Sequence, residues 1–169
     1  ANASKNSASA RNCPSIDPGS RLAVPLGTPL TMSVPVISVD SMRALESASW
    51  AAGAVESDVI DRVGAALALR IRDLVPKGGR IVILAGHGHN GDDARAAALH
   101  LPDRPVTLVN IQDPSHALTE VSRALQPAPA LVLDGLFGIG LNRPLEGAWA
   151  DLIQLVNTSG APIAAIDVP

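Results

Sequence analysis

The chain alternates short, unbroken apolar runs with stretches of helical pattern, and that alternation limits what it can fold into. The runs are "RIVILAG" (80–86), "PVTLVNI" (105–111), "ALVLDGLFG" (130–138) and "PIAAIDVP" (162–169). Apolar runs of this length without an inside-outside rhythm suit strands of a parallel sheet covered on both faces. Between them lie helical segments at about 91–101, at "DPSHALTEVSRAL" (113–125) and at "LEGAWADLIQLVNTSG" (145–160). Asp113 is the expected cap of the second, with Pro114 at its first position. Two further helices precede the first strand. "VDSMRALESASWAAG" (39–53) offers Asp40 as N-cap and Gly53 as a stop. "ESDVIDRVGAALALRIRDLVPKGG" (56–79) sets Val59, Ile60, Val63, Leu67, Ile71 and Leu74 on one face, then ends at Pro76 and Gly78-Gly79. The expected fold class is α/β: a three-layer α/β/α sandwich, Rossmann-like, with a mostly parallel sheet.

Residues 1–34 are rich in Ser, Ala, Asn and Pro, show no apolar period and read as a disordered leader. An unstructured extension is favoured over an organelle transit peptide, whose amphipathic Arg-rich pattern is weak here. A cytoplasmic location is expected, with organelle targeting through the leader as the alternative. The lone Cys13 falls in this leader and has no internal disulfide partner. The domain itself is expected over 35–169. It reads as incomplete, truncated at its C-terminal end, because the chain stops at the carboxyl end of a strand. With one Phe, two Trp, no Tyr and a net charge of −3, the chain lacks the stacking rings and positive field of a nucleic-acid binder. No apolar run approaches the roughly 20 residues of a membrane span, so no membrane partner is expected.

In a parallel α/β sheet, ligands bind beyond the carboxyl ends of the strands. Three polar features fall there: the stretch "GHGHNGDDA" (86–94), Asp134 and Asp167. The first stretch admits three readings. His87 and His89 form an H-x-H pair, but no further ligand stands at the spacing a transition metal needs. Gly86, Gly88 and Gly91 spell G-x-G-x-x-G, although Asn110 stands where a ribose-binding acid belongs. Asn90 and Asp92 would also cap a plain turn. The connection after the third strand carries Gly135, Gly138, Gly140 and Gly147 around Arg143, as backbone wrapped about a ligand would. Asp134, at the end of a buried strand, needs a cation or hydrogen-bond donors.

Together these segments resemble the NAD(P)H-hydrate epimerase family, the YjeF N-terminal domain. Its first motif, roughly GxGNNGGDG, appears as "GHGHNGDDA"; its second, roughly DALFGxGLxRP, as "DGLFGIGLNRP" (134–144); its third, roughly DIPSG, as "DVP" (167–169). "SVDSMRALE" and "DVIDRVGAALA" stand in the expected order ahead of them. The resemblance covers about residues 36–169. It implies a homodimeric sandwich that interconverts the R and S forms of NADHX and NADPHX, in partnership with a dehydratase that some members carry on the same chain. It implies a bound potassium ion, with Asn90 and Asp134 at ligand positions and a serine ligand falling past Pro169. His89, Asn90, Gly91, Asp92 and Asp93 match one substrate loop. Gly138, Ile139, Gly140, Leu141, Asn142, Arg143 and Pro144 match the other, and Asp167 matches a substrate-contacting aspartate. Loss of a hydroxyl beside a ring nitrogen and re-addition of water on the other face would invert the centre, with Asp167 moving the proton and Asp134 holding the cation. His89, Asp92 and Ala94 depart from the family pattern. The alternatives are therefore a non-catalytic nucleotide- or protein-binding module of the same fold and, less well matched, an NAD-dependent oxidoreductase.

Overall fold

The computed structural model describes residues 37–167. The leader expected over 1–34, with Cys13, lies outside the described residues, as do Val168 and Pro169. The elements run α1 (Val39–Ala51), α2 (Glu56–Leu74), β1 (Ile81–Ala85), α3 (His89–Leu99), β2 (Val106–Asn110), α4 (Pro114–Ala124), β3 (Leu131–Gly135), α5 (Ala148–Asn157) and β4 (Ile163–Ala165). The four strands form one parallel sheet in the order β2-β1-β3-β4. Ile81 stands beside Val106 on one side and Leu131 on the other, and Val132 stands beside Ile163.

The order explains the layers. The β1-to-β2 connection runs one way along the sheet, while those from β2 to β3 and from β3 to β4 run the other way. With right-handed crossovers, α3 must then lie on one face and α4 and α5 on the opposite one. The core divides accordingly. Val82, Leu84 and Val132 pack with Val121, Leu152 and Val156, whereas Ile81, Ile83 and Leu133 pack with Ala68, Ile71 and Ala97. Each β1 side chain is at most 1% exposed, as a central strand covered twice requires. The expected three-layer α/β/α architecture is thus present, with α2 joining α3 on its face.

Three local expectations need correction. The N-cap of α1 is Ser38, not Asp40. Ser38 is extended (φ −71°, ψ 159°) and its hydroxyl accepts from the Ser41 N–H, while Asp40 lies inside the first turn. The buried stripe of α2 is Gly64, Ala68 and Ile71. Leu74, assigned to that face, is 55% exposed, and Val59, Ile60 and Val63 are only half-buried. The cause is α3: a Cβ on Gly64 would fall 2.5 Å from the Cβ of Ala96, so the helices meet through small residues. Finally, α3 starts at His89, and its N-cap is Gly88 at φ 78°, with no side-chain cap from Asn90 or Asp92. No helix among the described residues is long and apolar enough to cross a membrane.

Candidate functional site

Because β2 and β3 flank β1, the chain leaves β1 and β3 in opposite directions. The crevice between their carboxyl ends is the topological switch point where ligands of open α/β sheets sit. Two glycine-bearing stretches meet there. The carbonyl of Gly135 accepts the Gly86 N–H at 3.1 Å. Gly86 lies so close to the Leu136 backbone that any Cβ would overlap the Leu136 carbonyl, and a Cβ on Gly91 would overlap the Gly86 carbonyl. Only glycine permits these approaches.

The decisive point is Gly138. A Cβ there would lie 2.7 Å from both Asn90 Nδ2 and Asp167 Oδ2. The start of α3, the loop after β3 and the end of β4 therefore converge on one spot. The side-chain amide of Asn90 donates to the Phe137 carbonyl, and Asp167 accepts the Ile139 N–H at 2.9 Å. Above this spot opens a cavity of about 850 Å³, in the upper part of the roughly 300–1,000 Å³ range of small-molecule sites. His89, Asn90, Asp93, Asp167 and the segment Gly138–Arg143 line it; Gly91, Asp92, Pro144 and Asp134 do not.

Two electrostatic features mark the site. Burial pushes the Asp93 carboxyl above its ordinary range; Asp92 and Asp167 push the same way, while His89 opposes. Burial likewise raises Asp134, opposed by the Leu136 N–H that its carboxylate accepts at 2.9 Å. Asp134 stands apart from the cavity wall because strand alternation turns it to the face of its register partner Leu84. Its neighbour Gly135 nonetheless touches the α3 start, since a Cβ there would lie 2.7 Å from the Asn90 carbonyl oxygen.

Two departures from the family motif are accommodated locally. Asp92 turns away from the cavity and pairs with Arg95 at 2.8 Å. The same guanidinium donates to the Gly86 carbonyl and to Asn110 Oδ1, both at 3.2 Å. Asn110 is thereby engaged rather than offered to a ribose. His89 lies 3.1 Å from Glu56 of α2. No group of three or more His, Cys, Asp or Glu side chains suited to a metal occurs among the described residues. The sequence reading missed the outer wall of the cavity: Arg43, Glu46 and Trp50 of α1, and Val59, Ile60 and Arg62 of α2. All but Trp50 fall in the two helical stretches that resemble the family, but none was singled out as a site residue. The one available signal was an apolar stripe on α2 wider than a single packing partner needs.

Comparison with known proteins follows the same lines. Residues 106–169 match the model of the family described as "YjeF-related protein N-terminus". The chain is 38% identical over 148 residues to an NAD(P)H-hydrate epimerase of Bordetella pertussis, covering 78% of this chain and 64% of that one. It is 37% identical over 123 residues to an NAD(P)H-hydrate epimerase of Limosilactobacillus fermentum, covering 60% and 59%. It is also 34% identical over 153 residues to a bifunctional NAD(P)H-hydrate repair enzyme of Gloeobacter violaceus, covering 79% and 30%. The chain thus spans less than two thirds of the length of these relatives. The fold matches the crystal structure of a yeast protein at a TM-score of 0.69 and 17% identity, covering 80% of this chain and 71% of that one. Motifs, switch-point geometry and relatives agree: the chain is similar to the YjeF-related N-terminal domain family, whose model matches its residues 106–169.

Proposed function

We propose that this domain is an NAD(P)H-hydrate epimerase, an isomerase that interconverts the R and S hydrates of NADH and NADPH. The observation that carries the reading is the meeting of Asn90, Asp167 and the Gly138 backbone beneath a cavity large enough for a dinucleotide. Epimerisation asks little covalent chemistry of the protein. The C–O bond to the hydroxyl breaks, its electron pair leaves on oxygen, and a proton completes water. The ring nitrogen's lone pair stabilises the resulting cation, and water then adds to the opposite face and gives up a proton. A carboxylate beside the carbon serves both halves, as a proton carrier and as a fixed negative charge facing the cation. Asp167 is the candidate, since it lines the cavity and the Ile139 N–H orients it. Asp93, raised by burial, is poised to hold a proton nearer neutrality than an ordinary carboxyl and to support that exchange.

The reading includes a potassium ion, and the donor chemistry here fits one. With its nitrogen committed to the Phe137 carbonyl, the Asn90 side chain has an oxygen without a hydrogen-bond donor among the described residues, available as a ligand. Asp134 is a desolvated carboxylate with one hydrogen bond and no cationic side chain within salt-bridge distance among the described residues. Oxygen donors of this kind suit a hard alkali cation. When bound, such an ion would supply positive charge that balances Asp134. A homodimer and a dehydratase acting on the S form complete the proposal.

The test is to incubate the protein with R-NADHX and a dehydratase specific for the S form. NADH should appear well above the spontaneous rate. Recovery at the spontaneous rate rejects the isomerase in favour of a binding module.

A further inference from the structure

The cavity extends well past the switch point, into a cleft between α1 and α2. Met42, Leu45 and Trp50 line it from α1, and Val59, Ile60 and Val63 from α2. No residue of α1 is buried; Leu45 is 58% exposed and Trp50 38%. A helix that presents its apolar side to an open cleft leaves that side for a ligand.

Charge says which ligand. Arg70, Arg72, Arg95 and Arg104 all have carboxylate partners. Arg43, Arg62, Arg80, Arg123 and Arg143 have none among the described residues; Arg80 spends its guanidinium on the Ala124 and Pro127 carbonyls, and of the other four all but Arg123 line this cavity. Among the described residues Arg62 spends only its Nε, on the Asp58 carbonyl at 3.3 Å, and its terminal nitrogens have no partner. Arg43 and Arg62 line this cavity from α1 and α2 respectively. Along α1, Arg43, Glu46 and Trp50 follow at three- and four-residue spacing and share one stripe. The stripe is about 10 Å long at 1.5 Å per residue, which matches the reach of a nucleoside monophosphate from phosphate to base.

We infer that the α1–α2 cleft seats the adenylate half of the dinucleotide. Arg43 and Arg62 hold phosphate, Glu46 accepts from ribose hydroxyls, and the base lies on Trp50 among the apolar side chains of α2. The inference rests on the epimerase reading, which places the damaged nicotinamide ring at Gly138 and Asp167. Each part has its physical warrant. Unpaired guanidiniums bind phosphate in bidentate fashion, a carboxylate marks a ribose diol, and an indole face stacks on a base. The other carboxylate on this wall, Glu56, is engaged by His89 at 3.1 Å.

Trp50 makes the inference testable without catalysis. The chain's other tryptophan, Trp149, packs against Phe137 with ring centroids 4.8 Å apart, so Trp149→Phe leaves Trp50 as the sole indole reporter. Titrating that variant with 5′-AMP should quench Trp50 saturably, with adenosine at least tenfold weaker. Adding Arg43→Ala and Arg62→Ala should weaken AMP at least tenfold, with the circular dichroism spectrum unchanged. No saturable quench, or a quench indifferent to both arginines, overturns the inference. A change that tracks protein concentration instead of AMP overturns it too and assigns the cleft to a second copy of the chain. AMP binding together with an inactive R-NADHX assay leaves the adenylate site standing and rejects the epimerase reading. An active assay without AMP binding does the reverse.

Discussion

The two glycine-bearing stretches of the site make an instructive pair. Gly86–Asp93 departs from the family motif at two positions yet is the better tied down. Gly86 and Gly91 are buried, Arg95 holds the Gly86 carbonyl and Asp92 together, and His89 reaches Glu56. Gly138–Pro144 follows the motif almost letter for letter, yet residues 140–144 are exposed. Its internal tie is the Leu141 N–H to the Gly138 carbonyl at 2.9 Å. A loop can keep its sequence because a ligand demands it while the protein does little to order it. The other can drift in sequence so long as its backbone packing is kept.

Glycine substitutions break or sharpen that contrast most strongly. Gly91→Ala drives a Cβ into the Gly86 carbonyl, a backbone atom with no room to yield. It should cost about 3 kcal/mol, the upper end for overpacking, and lower Tm by roughly 6–12 °C for a chain of this size. Gly140→Ala meets nothing within 4 Å and should stay within about 0.5 kcal/mol. Thermal melts of the two variants side by side decide the matter, and equal losses would erase the distinction between a packed loop and an open one.

Next in size is the effect on chemistry. Asp167→Asn can still accept the Ile139 N–H through its amide oxygen but cannot carry a proton. Turnover of R-NADHX should fall about 100-fold, or roughly 2.7 kcal/mol, while Tm holds. A fall in Tm with activity intact would make Asp167 a support for the second loop only.

A smaller effect tests how the first loop tolerates its own departure. Arg95→Ala strands the Asp92 carboxylate and frees the Gly86 carbonyl. The pair is partly exposed, at 32% and 41%, so the loss should be about 0.5–1 kcal/mol. If Arg95 answers Asp92, then Asp92→Gly should cost less in the Arg95→Ala background than alone, a coupling that a double-mutant cycle measures.

How much of this was legible in the letters depends on the signal each residue carries. β1 and β3 were readable because a strand covered on both faces must be apolar throughout. α4 was readable because Asp113 and Pro114 mark its start, and Asp113 does accept the Ser115 N–H. Asn90 and Asp167 were readable as polar residues at strand ends. That they share one crevice followed from their place on one rim of the sheet; that Gly138 is the meeting point and that Asp134, expected beside them, stands off the cavity wall did not, since both depend on strand register. Ser38 and Asp40 are both good caps, and only the backbone decides between them. The α1–α2 wall was invisible because apolar helical residues read as core until the facing element is known. Leu74 follows the same logic: Gly64 lets α3 close in and shifts the buried stripe.

Asp134 offers the finest test of the contrast, since it opens the well-matched second motif yet turns from the cavity. Burial raises its pKa above the unfolded value. The folded state therefore holds this proton longer. The carboxyl carries its full favourable contribution below the ordinary carboxylate pKa and loses it as pH climbs through the raised value. At neutral pH the charged, desolvated group is a cost. Asp134→Asn keeps an acceptor for the Leu136 N–H and removes the charge. In sodium- and potassium-free buffer it should gain up to about 1 kcal/mol at pH 7, or up to about 4 °C in Tm, and the gain should vanish near pH 4. If potassium balances Asp134, adding it should raise the Tm of the unsubstituted protein and leave that of Asp134→Asn unmoved. Equal potassium responses in both proteins would take the cation away from this carboxylate and leave the second motif's first residue a purely structural acid.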